Sequence, residues 1–310
     1  MPAATPDTLL ALLERRVAAL RKTRPDLDDA LSLQSSVIAT QLGAARPPEV
    51  SAFALPRQQL VARVRDGIPL LHDQPINLDI HFAADLFSRL VNALTPRLDP
   101  LIGAATGGQL DPQHLFGEAF VQHPDHLAQI AFQAGVDTDL LSAAATLSVA
   151  PVLRAYAEKL LPLLEQADDA TTEGAAWTRG YCPICGGWAL LGELRGVELA
   201  QWLRCAACGS GWRGQRLACA SCGNVDYRTL GTLTIDGEQR FRVAVCERCK
   251  AYLKVANAFD PTPAPLLALD DVASLHLDLA AAERGYQRPA GSGYRIELAV
   301  PEEEWLEELA

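Results

Sequence analysis

Apolar residues recur every three or four positions through the first half of the chain and at every second position in short runs of the second half. The pattern therefore divides the sequence into a helical part and a strand-rich part. Leu9, Leu13, Val17 and Leu20 form one stripe behind Thr5, a capping residue type, and Pro6, which suits the first position of a helix. The same spacing predicts helices over 26–44, 57–66, 78–94, 112–122, 124–134 and 138–165, with Phe82, Leu86, Leu90 and Leu94 as one stripe. The Pro-rich stretches "ARPPEVSAFALP" and "RDGIPLLHDQPIN" connect them.

In the second half, Phe241, Val243 and Val245 alternate with Arg240 and Arg242, and Asp236-Gly237 between "YRTLGTLTI" and "EQRFRVAV" is a hairpin turn signal. "WALLGEL" and "LAQWLR" flank Arg195-Gly196 in the same manner, and "WRGQRL" and "AYLKV" are further short strands. The expected fold class is α+β: an all-helical domain over 1–165, an acidic linker over 166–180, and two tandem rubredoxin-like or zinc-ribbon β modules over 181–218 and 219–260. A docking helix and acidic tail follow over 261–310. In that tail, Leu269, Val272, Ala273, Leu275, Leu279 and Ala282 are expected on one apolar side. Asp270, Asp271, Asp278 and Glu283 then face solvent or a basic neighbour, with Asp270 and Asp271 as the alternative contact to a partner. The closing "PEEEWLEELA", with Trp305, reads as a frayed acidic helix.

The chemistry concentrates in the β part. All eight cysteines fall into Cys-x-x-Cys pairs: Cys182/Cys185, Cys205/Cys208, Cys219/Cys222 and Cys246/Cys249. Two intervening residues allow a tight turn that aims both sulfurs at one ion, and two such turns complete a tetrahedron. Gly186, Gly209 and Gly223 follow three pairs and supply the left-handed conformation the turn favours, whereas Lys250 follows the fourth and implies a looser turn or a compensating ammonium. Each hairpin brings the second pair of a module back beside the first. The expected metal ligands are thus Cys182, Cys185, Cys205 and Cys208 in one site and Cys219, Cys222, Cys246 and Cys249 in the other, with an interleaved arrangement as the alternative. Thiolate-only sites suit iron or zinc, and the spacing does not separate them.

Composition narrows the function. The net charge is -11, which disfavours non-specific binding to nucleic acid or anionic lipid. Basic against acidic residues number 14 to 21 over 1–179, 10 to 6 over 180–255 and 3 to 11 over 256–310, so only the cysteine segment is basic. Its arginines, Arg204, Arg213, Arg216 and Arg248 among them, are expected to balance thiolate charge. No basic lead and apolar block opens the sequence, and a cytoplasmic protein with no membrane insertion is expected. "AATGGQ" lacks the Gly-Lys-Ser/Thr ending of a phosphate loop, and His123 and His126 read as surface or capping residues rather than ligands.

The order of these features, a helical half, "CPICG", "CAACG", "CASCG", "CERCKAYLK" and then "DDVASLHLDLAAAERGYQR", resembles the FdhE family of formate dehydrogenase accessory proteins. The resemblance covers most of the chain and is most specific from about 180 to 288. Gly-Gly-Trp after Cys185 departs from the family's usual small-residue and proline continuation. The resemblance implies a non-enzymatic cytoplasmic factor that binds the catalytic subunit of a respiratory, twin-arginine-exported formate dehydrogenase and supports its maturation. It also implies two rubredoxin-like sites, associated with iron, at the eight cysteines. Two other classes compete: a nucleic-acid-binding tandem zinc-ribbon protein and a rubredoxin-like electron carrier. In the favoured reading the helical half supplies an apolar groove for the client.

Overall fold

The computed structural model describes residues 5–51, 55–93, 108–167 and 176–298. Leu94, most of "AATGGQ", residues 168–175 of the expected linker and the 301–310 segment with Trp305 lie outside them. The helical part follows the periodicity closely: α1 (Pro6–Thr23), α2 (Asp28–Leu42), α3 (Arg57–Asp66), α4 (Ile80–Ala93), α5 (Pro112–Phe120), α6 (Pro124–Ala134) and α7 (Thr138–Ala167). Local chemistry sets several ends. Thr5 Oγ1 accepts from the backbone N–H of Thr8 to cap α1, and Leu9, Leu13 and Val17 are its buried stripe. Asp79 accepts from the N–H of Phe82 at 2.9 Å to cap α4. A two-pronged hydrogen bond from Arg46, at 2.6 and 2.9 Å, holds the Asp79 carboxyl down to about 2 against the opposing effect of burial.

The long α7 is the centre of the helical part, buried at Leu141, Ala145, Val149, Val152, Tyr156 and Leu160 against α3, α4, α5 and α6. It is the one described helix long and apolar enough to cross a membrane, and it passes that test as the core helix of this fold. Pro151 lies inside it and cannot donate to the carbonyl four residues earlier. That carbonyl, Leu147 O, instead accepts a 2.8 Å hydrogen bond from Gln41 Nε2 on α2, so the defect becomes a link between helices.

The strands are β1 (Ala189–Arg195), β2 (Ala200–Cys205), β3 (Gly211–Arg213), β4 (Leu230–Leu233), β5 (Phe241–Cys246) and β6 (Tyr252–Asn257). They form one six-stranded sheet in the order β3-β2-β1-β6-β5-β4. Each repeat is an antiparallel meander, as the turn signals imply, with Gly196 and Gly237 at positive φ in the two hairpin connections. The two expected tandem modules join as the halves of a continuous sheet, because β1 pairs in parallel with β6 from Leu191↔Lys254 to Leu194↔Asn257. Gly192 lets the strands close there: a Cβ would stand only 3.2 Å from Val255 Cγ2.

The tail departs from the expected single stripe. It breaks at Ser274 into α8 (Leu267–Ala273) and α9 (Leu275–Ala282), and the Ser274 hydroxyl donates to Asp270 O at 2.8 Å. The break shifts the helical phase, so Leu277 and Ala281 are buried while Leu275 and Leu279, expected inside, are exposed. Asp270 takes the second of its two expected settings, basic neighbours rather than solvent. At 1% exposure its carboxylate accepts from Arg16 of α1, from Arg240 Nη2 at 2.8 Å and from Thr262 Oγ1 at 2.9 Å. Lys254 of β6, whose side chain is wholly buried, pairs with Asp271 at 2.7 Å and Asp278 at 2.6 Å, and Arg288 closes over both acids. The tail thus straps the sheet to the first two helices, where Leu266 and Leu269 join Leu13, Val17, Leu31 and Ile38 in one cluster.

Candidate metal centres

The knuckles share one backbone design. In all four, the N–H of the first cysteine donates to the carbonyl of a residue two past the second: Gly187, Ser210, Asn224 and Ala251, at 2.8 to 3.0 Å. Gly186, Gly209 and Gly223 adopt φ of 75°, 73° and 68°, and Lys250 adopts 57°. The fourth turn is therefore as tight as the others, and its ammonium is engaged by Glu247 on the surface rather than by the thiolates. A left-handed residue with a Cβ costs roughly 1–2 kcal/mol, and an exposed ion pair returns about 0–1. Lys250→Gly is expected to leave stability within about 1 kcal/mol of the parent, while the β-branched Lys250→Val should lose about 2. Urea unfolding of the metal-loaded proteins checks this, and a larger loss in the glycine variant would assign the ammonium a structural role.

Hairpin return brings the eight thiols into two quartets, Cys182, Cys185, Cys205 and Cys208, and Cys219, Cys222, Cys246 and Cys249, with the ligand atoms of each within 4.8 Å of one another. Closest sulfur pairs are 3.6 Å (Cys182 and Cys208), 3.5 Å (Cys185 and Cys205), 3.6 Å (Cys219 and Cys249) and 3.8 Å (Cys222 and Cys246). Bonds of about 2.3 Å to a central ion would set the sulfurs of a tetrahedron about 3.8 Å apart, whereas a disulfide needs about 2.05 Å. The quartets fit a four-coordinate ion and not a pair of disulfides. Contact with Cys182 and burial push the Cys185 thiol well up, and burial does the same for Cys205, so four bare thiolates would not coexist in the first quartet; a divalent cation would relieve that penalty.

The two sites differ in setting. The first is buried at every cysteine and belongs to the same apolar cluster as Leu153 and Tyr156 of α7. Ser210 Oγ lies 2.6 Å from Cys208 Sγ and 3.4 Å from Cys182 Sγ. Gly187, part of the departure after Cys185, leaves room for its neighbours here, since a Cβ would meet Gln122 Oε1 at 2.6 Å and Cys205 Sγ at 3.2 Å. The second site is open, with Cys222 exposed and Cys219 and Cys249 half-buried. Asn224 Nδ2 approaches Cys246 Sγ at 3.6 Å. Burial opposes ionisation of Cys246, but the N–H of Cys249 and the Asn224 amide outweigh it and bring the thiol down to about 7.

The expected charge balance takes another form. Arg204 is buried and pairs with Glu193 at 2.8 Å, donating also to Thr262 O and Gly209 O. On the helical half, burial lowers the pKa of Arg154 on α7, while the charges of Glu158 and Cys208 act against that. Its Nε has no hydrogen-bond partner among the described residues. Nothing in the local sequence marks Arg154 as a buried cation. An apolar cavity of about 240 Å³ lies between the halves of the sheet, lined among others by Trp188, Leu217, Cys219, Tyr227, Val245 and Tyr252. This cavity is on the sheet.

Residues 215–293, which hold the whole second quartet and the tail strap, match the FdhE C-terminal domain. An FdhE homolog of Haemophilus ducreyi is 25% identical over 291 residues, 92% of this chain and 88% of its own length. The chain is thus similar to FdhE proteins, by its C-terminal domain and over most of its length. Another FdhE homolog, from Aquifex aeolicus, is 28% identical over 49% of this chain, a match that spans about half, 51%, of that relative's length. The crystal structure of the FdhE protein from Pseudomonas aeruginosa has the same fold, with a TM-score of 0.57 and 24% identity, covering 93% of this chain and 95% of that one. The FdhE likeness thus extends from the helical half through both quartets.

Proposed function

We propose that this chain is a non-enzymatic, cytoplasmic accessory protein that binds the catalytic subunit of a respiratory, twin-arginine-exported formate dehydrogenase and supports its maturation before export. The eight cysteines hold two metal ions in rubredoxin-like four-thiolate sites, iron by the family likeness and zinc as the alternative. The observation that carries the reading is the match of residues 215–293 to the FdhE C-terminal domain, together with the relative matched over most of its length. The thiolate sites bind the fold together in this reading, the first as part of the core and the second at an exposed edge.

The competing nucleic-acid reading rests on the basic segment, and the geometry speaks against it. Arg195 and Arg204 pair with Glu193, Arg228 with Asp226, Arg240 with Asp270, Lys250 with Glu247 and Lys254 with Asp271 and Asp278. Six of the segment's ten basic side chains are therefore engaged by acids within the molecule. The electron-carrier reading requires reversible one-electron bleaching of an iron-loaded protein at a rate useful to a partner.

Calorimetric titration of the anaerobically purified protein with the catalytic subunit, and separately with single- and double-stranded nucleic acid, tests the proposal. Saturable one-to-one binding to the subunit, with none to nucleic acid, is expected. Binding to nucleic acid alone would reject it. Elemental analysis of the same preparation assigns iron or zinc.

A further inference from the structure

We infer that Glu118, His123 and His126 form a third metal site, for a borderline divalent cation such as Zn²⁺, separate from the thiol quartets. The three residues come from the end of α5, the connection that follows it and the first turn of α6. His123 Nδ1 lies 3.0 Å and His126 Nδ1 2.9 Å from the same carboxylate oxygen, Glu118 Oε2, and all three ligand atoms lie within 4.8 Å of one another. Bonds of about 2.0–2.1 Å to a tetrahedral ion would place such atoms about 3.3 Å apart, so each nitrogen needs to draw back from Oε2 by only a few tenths of an ångström. His114, one turn before Glu118 on α5, presents Nε2 3.8 Å from Oε1, the oxygen that the other two histidines leave free, and stands outside the three-residue ligand group.

The cluster is partly solvated, with Glu118 21%, His123 12% and His126 48% exposed, so an ion has access and room to keep a water. The histidine rings are 3.6 Å apart between centroids and share one anionic oxygen. A cation bound to both Nδ1 atoms and to Oε2 would take the place of the ring protons that otherwise join these nitrogens to the carboxylate. Two imidazoles and one carboxylate suit zinc, cobalt or nickel, and disfavour calcium and magnesium, which take oxygen ligands. The turn that delivers His123 is held from the other side: Gln122 adopts a left-handed φ of 58° and donates from Nε2 to Cys185 O at 3.0 Å. The site is thereby fastened to the first knuckle without sharing a ligand with it.

The test is zinc uptake by the full-length protein after both thiol quartets are filled, shown by the absence of titratable thiol. Equilibrium dialysis against Zn²⁺ with elemental analysis should find one further equivalent in the parent. Glu118→Gln and the more exposed His126→Ala should each weaken that equivalent at least tenfold while retaining the two thiolate-bound ions and the parental helix content. The conservative Glu118→Gln guards against simple loss of folding. Cobalt in the third position should add d–d absorption without the sulfur-to-metal charge transfer of the quartets. A parent that stops at two ions, or variants that bind the third as well as the parent does, would overturn the inference.

Discussion

Cys185→Ser is expected to unfold the protein, whereas Cys222→Ser is expected to release one metal ion and leave the helical half intact. The two residues occupy equivalent positions in their knuckles, so the contrast isolates setting from ligand chemistry. Cys185 sits with Cys182, Ile184, Cys205 and Cys208 in the same apolar cluster as the core of α7. Structural zinc in small thiolate or imidazole sites contributes about 10–16 kcal/mol of apparent binding energy, comparable with or above the whole stability of about 5–15 kcal/mol of a typical domain. Losing the first site removes that contribution and leaves three thiols without a cation in the middle of the core. Cys222 is exposed, and nothing stands within 4 Å of a Cβ placed on neighbouring Gly223, so loosening of that knuckle meets no packed neighbour. Metal content and helix melting by circular dichroism read the outcome. A Cys185→Ser protein with parental melting would show that the first site does not hold the core.

The second large effect is expected at the strap. Replacing Asp271 and Asp278 together by alanine should cost about 3 kcal/mol or more, because Lys254 is fully buried and would lose both counter-charges. It would keep only its hydrogen bonds to Asp271 O and Ser274 O. Adding Lys254→Met to that pair should recover most of the loss, since an apolar side chain of similar length has no charge to compensate. The cycle is read from urea midpoints of the three proteins. If the methionine gives no recovery, the ionic network is not what holds α8 and α9 to the sheet, and the apolar contacts of Leu277 and Ala281 carry that attachment.

Much of this architecture is legible in local pattern. Helix stripes such as Phe82, Leu86 and Leu90 and the four Cys-x-x-Cys spacings report directly on nearby positions along the chain, and the structure places them as those spacings imply. The β1 and β6 pairing has no such signal, because parallel strands are matched across a long stretch of chain and no turn residue announces their register. Glu193 and Lys254 even argue against burial when read singly; their charges are tolerable only because Arg204, Asp271 and Asp278 arrive from other elements. The phase shift at Ser274 defeats any stripe drawn through it. His123 and His126 read as surface residues because their spacing alone is weak evidence, yet Glu118 stands before them in the order His114, Glu118, His123, His126, and becomes a neighbour once a helix end and a turn are placed between them.

Asp270 grips Arg16 across 254 residues of chain, and Leu266 and Leu269 cover the face shared by α1 and α2. During synthesis, then, these two helices leave the ribosome long before the segment that shelters Leu13, Val17, Leu31 and Ile38 from water. A nascent chain halted after the second quartet would carry its complete set of cysteines and still display an apolar surface on α1 and α2. Arrival of α8 is thus written into the fold as a closing contact, and chains cut short of it would be marked for proteases by the helices that were made first.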